Sequence, residues 1–69
     1  MITRMSSQGV ERFEIRYGSL FRAGAGLSFP CDGRGRVNID ALPPRARSNY
    51  LFARAMVGRE FEHPAVVRA

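Results

Sequence analysis

Cys31 is the only cysteine in a chain of 69 residues, and that isolation constrains the fold more than any other single feature. A chain of this length buries only about 60% of the surface its unfolded form exposes, so folds of this size usually lean on disulfides, a metal or oligomerisation. One cysteine cannot close a disulfide within the chain. A structural zinc site is starved as well, because Cys31 and His63 are the only soft ligands. Self-association is the supplement that is left. The chain divides into a loose tail, residues 1–9, and a single small domain, residues 10–69. The tail carries Thr3, Ser6, Ser7, Gln8 and Gly9 and shows no apolar period.

The pattern changes at Val10. Phe13, Ile15 and Tyr17 alternate with Arg12, Glu14 and Arg16, the period of two that marks a half-buried strand. Gly18 and Ser19 interrupt it. Residues 20–23 can continue it briefly before Gly24-Ala25-Gly26 turns the chain. These glycines lack the third member and the following helix that a dinucleotide-binding loop needs.

The stretch PCDGRGRVNID, residues 30–40, is the strongest local signal. Asp32-Gly33-Arg34-Gly35 suits a type I turn followed by a left-handed glycine, which is a hairpin connection. If Asp32 lies opposite Arg36, then Cys31 faces Val37 and Phe29 faces Ile39, which places apolar pairs on one side of the sheet. Pro30, opposite Asn38, marks an edge. A phosphate cradle would need a helix directly after its glycines, and here a strand pattern follows them.

Asp40, Pro43 and Pro44 open a helix running over residues 40–57, with Gly58 as its stop. Ala46, Asn49, Tyr50, Phe52, Ala53, Met56 and Val57 share the arc that should face the sheet, while Arg47, Leu51 and Arg54 stand outside it. A last strand follows, with Phe61, His63, Ala65 and Val67 on one row and Glu60, Glu62 and Val66 on the other. Pro64 confines it to an edge. The expected fold is α+β: a small antiparallel sheet of three to four strands covered on one face by a single helix.

Function is less constrained. All eleven basic residues are arginine and the net charge is +5, which suits either a phosphate-rich or acidic partner or a coding bias that favours arginine over lysine. Arg34, Arg36, Arg47 and Arg54 are the candidate nucleic-acid contacts. Cys31 and His63, with Asp32 or Asp40 as an orienting group, have the outline of a thiol nucleophile pair, but both occupy apolar rows where a cysteine behaves as a small hydrophobe. Asn49 reads either as a buried, bonded amide or as a polar group that fixes the register of a symmetric contact. No catalytic residue, cofactor or metal is expected. No apolar run approaches the roughly 20 residues that span a bilayer, and a free thiol fits a reducing compartment, so a cytoplasmic location without membrane contact is expected.

DGRGRVNIDALPPR also resembles the Asp-x-x-Gly-Arg-apolar-x-apolar core of the swapped-hairpin DNA-binding domains found in bacterial transition-state and cell-division regulators. Asp32, Gly35, Arg36, Val37 and Ile39 carry the resemblance, and Asp40 stands where that pattern has proline. The resemblance implies an intertwined dimer whose basic residues around the hairpin touch DNA. The reading preferred from the residues themselves is a non-enzymatic, self-associating interaction module, open to an unidentified protein partner. Leu20, Phe21 and Leu51 are its surplus apolar groups and candidate homodimer contacts.

Overall fold

The computed structural model describes residues 12–69. The expected tail, residues 1–9, lies outside the described residues. Strands β1 (Phe13–Gly18) and β2 (Gly26–Cys31) are followed by a 3-10 turn (Ile39–Ala41), helix α1 (Pro44–Ala55) and strand β3 (Ala65–Arg68). The three strands form an antiparallel sheet in the order β2-β1-β3, so the fold is α+β as the sequence pattern implies.

β1 is central because its alternation is the cleanest. Ile15 and Tyr17 are buried while Arg16 between them is exposed. Across the ladders, Ile15 lies between Phe29 of β2 and Val66 of β3, and Tyr17 lies opposite Leu27. These side chains make one apolar face. α1 covers its upper part: the Tyr50 ring meets Phe29 edge-on at 5.2 Å, and Tyr17 lies 6.1–6.5 Å from Phe29, Tyr50 and Phe61. Each such pair contributes about 0.5–1.5 kcal/mol beyond the area it buries. Ala53, with no exposed surface, lets the helix sit close. The opposite face carries Glu14, Arg16, Ser28 and Pro30, with Glu14 and Arg16 paired at 3.2 Å.

The turn after β2 forms, but the strand expected beyond it does not. The N–H of Gly35 donates to the Asp32 carbonyl at 2.9 Å, the N–H of Asp32 donates to the Arg36 carbonyl at 3.0 Å, and Gly35 has φ of 84°. Yet residues 36–38 are irregular and enter the 3-10 turn, so Cys31–Val37 and Phe29–Ile39 are not ladder pairs. The chain instead crosses the lower part of the same apolar face. A Cβ at Gly35 would lie 3.0 Å from Val66 and one at Gly33 would lie 3.4 Å from the Phe13 ring. Val37 and Ile39 are still packed against the core, and Leu42 is buried in it. Two apolar residues in alternation satisfy burial over a sheet face as well as at its edge, and local pattern does not distinguish the two.

The other corrections concern phase. α1 begins at Pro44, in the first helical position with Pro43 before it, and no side chain caps it, so Asp40 belongs to the 3-10 turn. The helix ends at Ala55 and Gly58 follows in the turn beyond, with φ of 87°. Asn49 and Phe52, both expected to face the sheet, are exposed. The last strand is shorter than expected and its inward row is different. Ile15 lies opposite Val66 whereas Ser19 lies opposite Phe61, so four steps along β1 are matched by five on the other strand. The extra residue falls in Glu62-His63-Pro64, a bulge that brings Phe61 and Val66 to the same side and sends Val67 to the other.

Candidate functional site

Three constellations compete. The first is the turn next to Cys31. The Asp32 carboxylate accepts three hydrogen bonds: from the N–H of Arg34 at 2.9 Å, from the N–H of Arg36 at 2.8 Å and from Nε of Arg36 at 3.0 Å. These donors, the Arg36 N–H foremost, hold its pKa below the ordinary carboxylate value. Its oxygens are therefore committed to shaping the turn, which leaves a poor general base. Partial burial pushes the Cys31 thiol pKa up, with the nearby charges of Asp32 and Glu14 adding to the effect, so the thiol stays protonated near neutral pH.

His63 does not complete a pair with Cys31. Cys31 lies opposite Phe13 at one end of β1, whereas the N–H of Glu62 donates to the Gly18 carbonyl at the other end. Five residue steps along β1 separate those ends, about 16 Å. A groove of about 510 Å³ runs beside Cys31 between Pro30, Asp32, Arg36, Val37 and Leu42. Its floor is apolar and the ion pair at its rim is already closed on itself. Among the described residues no three His, Cys, Asp or Glu side chains gather to hold a metal ion.

The second constellation is the arginine set. Arg36 is bound to Asp32, Arg47 donates to the Leu42 carbonyl at 3.3 Å, and the Arg54 guanidinium lies over the Tyr50 ring at 5.6 Å. Three of the four candidate nucleic-acid contacts thus have partners inside the chain. Arg36 is on the turn and Arg54 is in the last turn of α1, so the structure does not draw the set into one stripe.

The third constellation is apolar. Leu20 and Phe21, expected as surplus groups, are 44% and 71% exposed, and Leu51 is 49% exposed on α1. The loop that carries Leu20 and Phe21 is tied down. The Ser19 hydroxyl accepts hydrogen bonds from the N–H groups of Phe21 and Arg22, each at 3.1 Å. The N–H of Ser19 donates to Ala25 and that of Ala25 to Arg22, which closes the loop. Leu20 then donates its N–H to the Glu60 carbonyl at 2.9 Å, which sets it beside Phe61. Phe52, half-exposed, stacks edge-on against Phe61 at 5.9 Å. Phe52 and Phe61 thus make an apolar contact between α1 and the post-helix turn, with Leu20 tied to that turn and Phe21 next to it in the loop. Phe52 is the member that the helical arc assigned to the core: it lies at the margin of that arc, where rotation by a few tens of degrees decides between core and surface.

Comparison with protein-family models, with curated proteins and with solved structures finds no match for the chain.

Proposed function

We propose that this chain is a non-enzymatic protein-interaction module that works as a homodimer. The carrying observation is Phe21, 71% exposed on a loop whose backbone is fixed by the Ser19 hydroxyl. A solvent-facing phenylalanine on a slack loop is unremarked, since it can fold back. One held out by the backbone has lost that freedom in advance, so burying it against a partner gains about 1.5–3 kcal/mol with little ordering cost. Rigid aromatic anchors of this kind dominate protein contacts. The separation of Cys31 from His63 supports the non-enzymatic part of the reading, and the cytoplasmic expectation stays with it as a proposal.

Sedimentation equilibrium across a hundredfold dilution tests the proposal. The expected result is a dimer at micromolar concentration that dissociates on dilution; the mass of one chain throughout the series overturns it.

A second reading, contact with nucleic acid through Arg34, Arg36, Arg47 and Arg54, is favoured by one observation: α1 carries three arginines and no acidic residue. Affinity that survives about 150 mM salt and falls on Arg34→Ala would put this reading first, whereas binding lost at that salt is the residual attraction of any chain of net charge +5.

A further inference from the structure

We infer, resting on the self-association proposed above, that two copies meet in a twofold contact. In it Phe21, Leu20 and Phe52 are buried, and Arg22 and Arg59 of one copy lie against Glu60 and Glu62 of the other.

The argument is one of charge around the apolar region. Arg22 follows Phe21 in the loop, and Arg59, Glu60 and Glu62 flank Phe61 on the other side, all four exposed. The backbone joins the two groups directly, because Leu20 donates to Glu60 and Glu62 donates to Gly18. The ion pairs among the described residues are Arg16 with Glu14 and Arg36 with Asp32, so none of these four charges is paired with another described residue. The rim therefore carries two cations and two anions with no ion-pair partner among the described residues.

That mixture selects the occupant. A phosphate backbone, an anionic lipid surface or an acidic peptide could pair with Arg22 and Arg59 only by setting its own charge against Glu60 and Glu62 as well. A second copy meets no such penalty. Across a twofold axis, residue i contacts j while j contacts i, so a rim holding both signs supplies its own complement twice over. Complementary rims also oppose the general repulsion between two chains that each carry a net charge of +5. The apolar centre supplies affinity, and the rim sets orientation.

Charge reversal in matched sets tests this. One variant carries Arg22→Glu and Arg59→Glu, the other Glu60→Arg and Glu62→Arg. All four positions are exposed, and thermal unfolding of each variant confirms that the fold is kept. Each variant alone should dimerise at least tenfold more weakly than wild type, because every rim pair becomes a like-charge pair. An equimolar mixture should recover a dimer of one chain of each kind, with affinity within about tenfold of wild type. Phe21→Lys should weaken association at least a hundredfold in any background. If both charge variants dimerise as tightly as wild type, or if the mixture shows no preference for the mixed pair, this interface is wrong although self-association stands. A wild-type protein that is monomeric at every concentration removes the self-association reading and this inference together.

Discussion

Two loops of this chain are built by the same device and put to opposite ends. In each, a short polar side chain at the start accepts backbone N–H groups two and three or four residues on, Ser19 in the loop after β1 and Asp32 in the turn after β2. Each also contains a glycine in the left-handed conformation, Gly24 with φ of 80° and Gly35 with φ of 84°. The second loop lies down on the sheet, with Gly35 against Val66 and Gly33 against Phe13. The first stands away from it: nothing lies within 4 Å of a Cβ placed on Gly24, and Phe21 faces water. Local chemistry fixes the shape of a loop, and the surface beneath it decides whether that shape packs or presents.

The largest effect should come from the packed loop. Gly35→Ala combines left-handed strain, about 1 kcal/mol, with a methyl group crowding Val66, for a total of about 2 kcal/mol. At about 4–8 °C per kcal/mol in a domain of this size, the melting temperature should fall by about 10 °C. Gly24→Ala meets only the conformational strain, so it should cost about 1 kcal/mol. Equal losses in the two variants would show that the turn after β2 does not pack on the sheet.

Acid should separate the loops next. The Asp32 pKa is depressed in the folded chain, so its contribution to stability is present above the ordinary carboxylate value of 3.8 and is lost as pH falls through the lower, folded-state value. The stability difference between wild type and Asp32→Asn should therefore be largest above pH 4 and shrink on acidification toward pH 2. Ser19 carries no titratable group, and Ser19→Ala should show a difference that does not change over that window. A pH-independent Asp32→Asn difference would mean that the carboxylate bonds do not favour the folded state.

The smallest stability effect belongs to Ser19→Ala. Two exposed hydrogen bonds are lost, about 0.5–1 kcal/mol. Its larger consequence should be on association, which weakens several-fold because Phe21 is no longer held in place. Unchanged dimerisation in this variant would count against the anchor role of the loop.

The sequence by itself determined the features that depend on neighbours along the chain. The alternation of Phe13, Ile15 and Tyr17 specified β1, the Asp32–Gly35 tetrad specified its turn and the left-handed glycine within it, and the stretch Asp40–Pro44 contained the helix entry, which falls at its last residue. Exposure of Leu20, Phe21 and Leu51 was also legible, as more apolar surface than one helix can cover. Tertiary structure decided what depends on distant surfaces. Val37 and Ile39 pack against the core instead of pairing with the free edge of β2, as the turn before them lies down on the sheet at Val66 and Phe13. The bulge at residues 62–64 sets the phase of β3, since Phe61 is held by Tyr17 and Phe52 while Val66 is held by the ladder with Ile15. A period of two cannot anticipate an inserted residue, and a helical arc cannot say on which side its margin falls. The exposed position of Phe52, and with it its contact with Phe61, therefore emerges only when α1 and the post-helix turn meet.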